Sequence, residues 1–309
     1  MEITLDAFGT LLLRVGIVVI MLSMGLQITG PEIMAAVRQR RLMAKVLLAN
    51  LLLLPLVALA ISRLVNMPEE IAAGFLIASV APGATLTPKL AEIARANLSL
   101  AVGVTFVLAI VSIVATPFMA SLLLPDSPTI QLDPRSVISI LILFQLIPLL
   151  AGLAIHHWRP DLARRLRRPS ILLANLLFFL VVAFNVIRDF PNLVALPPLS
   201  LAAMVLMTFA SLFVGWYSGG QDEATRMSLA LGTGVEFTGM ALLIVTTNFP
   251  GTAAGTAVIA FALVLIAINT ALAFLWSRRA TPAIDVAPVK PSLATGRKAN
   301  LGLQQDSGS

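Results

Sequence analysis

Nine stretches of this chain, roughly 6–28, 42–65, 68–95, 97–124, 134–158, 169–188, 197–218, 224–248 and 251–276, are apolar along their length. Each reaches the ~20 residues an α-helix needs to cross about 30 Å of hydrocarbon. With 58% of 309 residues hydrophobic and 12% charged, a water-soluble domain could not hide this much apolar surface. In lipid each backbone N–H and C=O must be satisfied within its own segment, so such runs fold as helices. The sequence therefore defines an all-α polytopic membrane protein with about nine crossings, and residues 1–276 form its transmembrane domain.

The charges follow the crossings. Arg38, Arg40, Arg41 and Lys45 follow the first segment, Arg159, Arg164, Arg165, Arg167 and Arg168 the fifth, and Arg278 and Arg279 the ninth. The opposite side carries only three basic residues, Arg63, Arg135 and Arg188, accompanied by Glu69, Glu70, Asp126, Asp133 and Asp189. The positive-inside rule then places the N-terminus outside and the C-terminus in the cytoplasm, as for a multi-pass protein of a cell (inner) membrane. The net charge of +6 is thus a matter of topology, and no nucleic-acid partner is expected. The first residues lack a basic stretch and a cleavage site, so the first segment is expected to stay in the mature protein. Residues 277–309, rich in Ala, Pro, Ser and Gly, read as a disordered cytoplasmic tail.

Composition also removes classes of chemistry. The absence of cysteine excludes disulfides, thiolate metal sites and cysteine nucleophiles, and His156 and His157 are the only histidines. No Ser–His, Asp–Asp or HExxH arrangement falls inside a segment, so no enzyme and no organic cofactor are expected. A membrane sensor or receptor is the competing class, but the loops are short and there is no signalling domain. Arg14 is expected to snorkel outward, Asn175 and Asn185 to serve structure, and Trp158, Trp216, Tyr217 and Trp276 to anchor at the interfaces.

Segments one to four and six to nine begin on opposite sides of the membrane, and the third member of each group is interrupted. In the first group the break is VAPGATLTPKLAEIARAN (80–97), with Pro82, Gly83 and Pro88; in the second it is GTGVEFTG (232–239), with Gly232 and Gly234. Paired interruptions at corresponding positions of two halves point to an inverted-repeat transporter with its site near the midplane. Thr87 followed by Pro88 suits an N-cap and first helical position, so a half-helix should restart near residue 87. Lys89 then sits in a first turn whose dipole disfavours a cation, and Glu236 is an acid deep in a segment. Two readings of Lys89 stand: it pairs with Glu236, or it snorkels to the cytoplasmic interface because its half-helix is short. Thr85, Thr87, Thr105, Thr233, Thr238, Asn50 and Asn269 are the candidate polar groups around this pair.

The blocks MGLQITGPEI (24–33), NLLLLPL (50–56), APGATLTPKLAEIARANLSLAVGVT (81–105) and GTGVEFTGMA (232–241) resemble the bile acid:sodium symporter family. The resemblance implies a core of about 42–124 and 197–276 and a panel of about 6–28 and 134–188, with a substrate between them moved by alternating access. Family members carry bile acids, steroid sulfates and smaller organic anions, usually with sodium, so a small organic anion is the implied partner. Arsenite carriers of related fold depend on a cysteine that this chain lacks.

Carried over by position, the family's sodium ligands become Thr87, Pro88, Ala101, Thr105 and Gly232; its glutamine in the E-V-G-M-Q block becomes Glu236, and a glutamine of the second segment becomes Asn50. One sodium site is thereby dismantled, and the other, near Glu236 and Asn50, is altered. The expectation is that Lys89 takes the place of one cation. Transport would then be proton-coupled, coupled to one sodium, or uncoupled, and an exporter of the same superfamily is the alternative.

Overall fold

The computed structural model describes residues 2–83, 85–124 and 130–279, and among these every regular element is a helix. In chain order they are α1 (Glu2–Gln27), α2 (Gly30–Arg38), α3 (Arg40–Leu64), α4 (Glu69–Ser79), α5 (Leu86–Ile93), α6 (Leu98–Leu123), α7 (Pro134–Trp158), α8 (Pro160–Val194), α9 (Pro198–Ser218), α10 (Glu223–Gly234), α11 (Thr238–Asn248) and α12 (Ala254–Arg279). Eight spans are long and apolar enough to cross a membrane, with α10 and α11 together making one of them. The remaining expected crossing, 68–95, is divided between α4 and α5, each too short to span alone. Large apolar side chains such as Leu172, Leu176, Phe179 and Ile187 point outward from α8, as a lipid-facing helix requires.

Several boundaries differ from the sequence expectation. Residues 277–279 are still helical, and the rest of the expected tail, like Asp126, lies outside the described residues. The sixth crossing extends well beyond 169–188, because α8 starts at Pro160 and takes the basic stretch into its first turns. Proline suits a first helical position, and Arg164 and Asp161 pair at 2.5 Å one turn apart, so helix length here is not set by hydrophobic length alone. Helix α2 was not expected at all. It opens on a capping box in which Thr29 Oγ1 accepts from Glu32 N at 3.4 Å, while Glu32 Oε2 accepts from Thr29 N at 2.9 Å.

Helices α3 and α7 each contain a π-turn, Ala49–Leu53 and Leu141–Leu146, immediately before Pro55 and Pro148. Proline has no N–H to give and its ring crowds the carbonyl four residues back; the wider turn accommodates both defects without ending the helix. The turn in α3 holds Asn50 and the turn in α7 holds Gln145.

Helix α1 packs on α7 and α8. Gly25 and Gly152 let α1 and α7 touch backbone to backbone: a Cβ on Gly152 would lie 2.9 Å from Gly25 Cα, and one on Gly25 would lie 2.8 Å from Leu153 N. His156 Nδ1 meets Leu26 O at 2.9 Å on the same seam, so this histidine ties two helix ends together. A second group gathers α4, α5, α10, α11 and α12, where Phe75 of α4 meets Phe261 of α12 edge to face at 5.2 Å. Glu70 of α4 accepts from Ala253 N at 2.7 Å just before α12 begins, a favourable place for a carboxylate at a helix N-terminus. Asp222 similarly caps α10, and hydrogen bonds from the Thr225 hydroxyl and then the Thr225 N–H hold its carboxyl below the usual carboxylate range.

Candidate functional site

The two broken helices meet at their breaks. After Ser79 the chain leaves α4 through Val80–Gly83; after Gly234 it leaves α10 through Val235–Phe237. These segments expose backbone groups that lipid cannot satisfy, and each finds a partner in protein. Phe237 N donates to Ala81 O at 2.7 Å, so one break closes part of the other. Thr116 Oγ1 of α6 donates to Val80 O at 2.5 Å. Gln145 Nε2, from the π-turn of α7, reaches Ala109 O of α6 at 2.5 Å and Ser112 Oγ at 3.0 Å.

Gly83 is the position that needs glycine. Its φ is +94°, and a Cβ would lie 2.8 Å from Ala109 N. Gly83→Ala therefore combines backbone strain with a clash against backbone, and is expected to lower stability by about 2–3 kcal/mol. A fall in the detergent-solubilised unfolding temperature, measured against Gly239→Ala, checks this, since a Cβ on Gly239 meets nothing nearer than 3.7 Å.

The candidate residues separate into three groups. Thr105 and Thr233 are buried but committed to helix carbonyls: Thr105 Oγ1 donates to Ala101 O at 2.8 Å, and Thr233 Oγ1 bonds Leu229 O at 2.7 Å and Ser211 O at 3.0 Å. Lys89 is on the surface. Its ammonium pairs with Glu92 at 2.7 Å, and its side chain is 59% exposed. The expected pair with Glu236 is not formed; the ammonium lies at the surface of its eight-residue helix, where the snorkelling alternative would also put it. Lys89 therefore does not stand in for a buried cation. Arg14 is also exposed, lying over the Phe144 ring at 5.8 Å.

The third group is at the crossing. Helix α5 begins at Leu86, two residues earlier than a Thr87 cap would give, so Thr87 is inside the helix rather than its cap and Pro88 is its third residue. The Thr87 hydroxyl is consequently not used by the helix end. Three buried oxygens here have no hydrogen-bond partner, Thr87 Oγ1, Glu236 Oε2 and Asn269 Oδ1, and Asn50 Oδ1 on α3 has none either. Asn269 sits across Gly234, donating from Nδ2 to Gly234 O at 2.8 Å and to Leu265 O at 2.8 Å. A Cβ on Gly234 would fall 2.6 Å from Asn269 Oδ1, whereas one on Gly232 would meet the Thr87 methyl at an ordinary 3.6 Å. Asn50, in the π-turn packed on α6, donates to Val46 O at 2.8 Å and leaves its own oxygen free of protein donors.

A buried polar atom without a partner is costly, and here all four are oxygens, one of them a carboxylate's. That donor set is the kind a hard cation takes. Pro88, Ala101 and Gly232 contribute no side-chain oxygen, so the residues present fit one cation beside Glu236 and not a second. Among the described residues no three His, Cys, Asp or Glu come together, so nothing like a transition-metal centre is built.

Glu236 also faces a narrow cleft of about 70 Å³. Thr85, Val235, Phe237 and Thr238 line it from the breaks, Gly16 and Ile17 from α1, and Val181, Val182 and Asn185 from α8. The cleft shares Asn185, Leu242 and Ile259 with a wider space of about 780 Å³, whose wall carries Arg188, Asp189 and Asn192 of α8. This wider space was missed in the sequence. Its signal is the spacing of Asn185, Arg188, Asp189 and Asn192, a polar stripe of helical period running past the expected end of the sixth crossing.

A multi-pass helical membrane protein with two interrupted helices joined at a buried polar crossing is the class that fold and site define. The sequence model of the Sodium Bile acid symporter family matches residues 14–218. The chain belongs to that family. The match covers α4 to α6 and ends before α10, so the break that carries Glu236 lies beyond it. Curated relatives agree. A probable sodium/metabolite cotransporter BASS2, chloroplastic, of Oryza sativa is 26% identical over 89% of this chain and 66% of its own length. A probable sodium/metabolite cotransporter BASS1, chloroplastic, of Arabidopsis thaliana is 29% identical over 48% of this chain and 37% of its own length. The uncharacterized sodium-dependent transporter YocS of Bacillus subtilis is 22% identical over 92% of this chain and 86% of its own length. This chain thus spans just under two thirds of the rice protein and most of the Bacillus one.

Proposed function

We propose that this protein is a secondary transporter that moves a small organic anion together with one cation by alternating access. The observation that carries the reading is the set of unpartnered buried oxygens at the helix crossing, beside a cleft that opens into a wider aqueous space. Thr87, Glu236 and Asn269, with Asn50, are the residues that would hold the cation, and a bound cation would supply the positive charge that an anion near Glu236 requires. Sodium fits the oxygen donors. A proton on Glu236 is the second reading, favoured by the absence of oxygens at Pro88, Ala101 and Gly232.

The moving parts follow the packing. Helices α1, α7 and α8 form the panel; α3 to α6 and α9 to α12 form the core, and the cleft lies between Gly16, Ile17 and Val181 of the first and Val235–Thr238 of the second. The basic loops then face the cytoplasm and the wide space faces outward. Placement in a bacterial-type cell membrane accords with the Bacillus relative. Counterflow in proteoliposomes loaded with valerate or taurocholate tests transport itself: accumulation of the labelled anion is expected with at least one of them. Absence of exchange with both would count against carriage of these anions and favour a sensor.

A further inference from the structure

The wide outer space and the narrow cleft differ in chemistry. Among the residues lining them, Arg188 is the one cation, and the acids are Glu70, Asp189 and Glu236. Glu70 is engaged with Ala253 N at 2.7 Å. Asp189 accepts from Asn192 Nδ2 at 2.8 Å through Oδ1, but its other oxygen, Oδ2, is buried with no partner. An arginine and a half-committed carboxylate lining one space can act as a two-part reader: the guanidinium, with five N–H donors, serves more than one acceptor, and the carboxylate oxygen without a partner needs a donor. The adjoining cleft is lined mainly by apolar residues, Ile17, Val181, Val182 and Leu242 among them, with Glu236 also in its wall. At about 70 Å³ it exceeds the ~10–15 Å³ that one water requires several-fold, yet it is far too small for a fused four-ring nucleus.

We infer that the outer space is the recognition subsite for the substrate's polar head: Arg188 takes a carboxylate, Asp189 takes a donor next to it, and the cleft takes a short apolar tail. The substrate is then a compact carboxylic acid that carries a hydroxyl or an ammonium beside the carboxylate, and it enters tail first. The orientation follows from the walls: Arg188 lines the wide space, whereas the residues lining the cleft are mainly apolar. The inference rests on the transporter reading, and it specifies that reading's substrate class.

Titration calorimetry on the purified full-length protein in detergent, with valerate, 2-hydroxyvalerate, norvaline and cholate, tests it. One or both 2-substituted acids are expected to bind about tenfold more tightly than valerate, with cholate weaker than either. Whichever of hydroxyl and ammonium gives the larger gain identifies the donor. Arg188→Gln should weaken all the short acids about tenfold or more, and Arg188→Lys should recover part of that loss. Asp189→Asn should erase the advantage of the 2-substituted acids over valerate. Equal binding of valerate and both substituted acids, preferential binding of cholate, persistence of the advantage in Asp189→Asn, or no binding of any short acid overturns the inference. Binding in the expected order without counterflow would instead count against transport, so the two failures are distinguishable.

Discussion

Replacing Glu236 by glutamine is expected to raise the sodium concentration that half-stabilises the purified protein by about 100-fold or more. Glu236 is 4% exposed, and its Oε2 has no protein donor. A buried carboxylate in that condition is tolerable only when a cation or a proton neutralises it, and removing one member of such a buried pair typically costs about 3–5 kcal/mol. Glutamine preserves shape and hydrogen-bonding capacity, so the fold should persist while the charge at the site is lost. The unfolding temperature in sodium against potassium chloride reads the effect. A second substitution separates charge from position. The family resemblance puts a glutamate where this chain has Gly232 and a glutamine where it has Glu236. A side chain at 232 starts with ordinary contact, 3.6 Å from the Thr87 methyl. Gly232→Glu added to Glu236→Gln should therefore restore much of the sodium response. Full loss in the double variant would mean that the carboxylate must stand at 236 itself.

The second large effect concerns assembly. Gly25→Val is expected to destabilise the protein by about 3 kcal/mol or more and to reduce the yield of monodisperse material sharply. A Cβ at Gly25 collides with Leu149 O and lies 2.8 Å from Leu153 N and 3.0 Å from Gly152 Cα, all backbone atoms that cannot rotate away. In lipid, close packing rather than the hydrophobic effect holds helices together, so separating α1 from α7 removes the attraction as well as adding strain. Gly30→Val is the control, because nothing lies within 4 Å of a Cβ there. Size-exclusion profiles after brief heating compare the two variants.

The lengths of the apolar runs made the crossings legible, and the paired glycines and prolines made the two breaks legible, because lipid leaves a chain so few ways to satisfy its backbone. What stayed hidden was side-chain direction. Lys89 and Thr87 are two residues apart on one short helix, yet one reaches the surface to pair with Glu92 and the other is 1% exposed. The start of α5, two residues earlier than a Thr87 cap would give, takes Thr87 into the helix, and element boundaries are the part of a fold that sequence specifies least. Helix α2 could have been found: Thr-Gly-Pro-Glu at 29–32 carries both a capping box and an early proline. Gln145 could not, since nothing in ILILFQLIPLL says which face of the π-turn meets α6.

In the mechanism proposed above, the crossing around Glu236 holds the cation that drives anion movement. Uptake into proteoliposomes of whichever labelled anion shows counterflow, under an inward sodium gradient and under an equal potassium gradient at fixed pH, tests it most directly. The account predicts concentrative uptake with sodium, none with potassium, and loss of the difference in Glu236→Gln. Equal uptake in the two salts would contradict sodium coupling. If an imposed proton gradient then drove uptake that Glu236→Gln abolished, the same site would be carrying a proton; uptake indifferent to both gradients would contradict the claim outright.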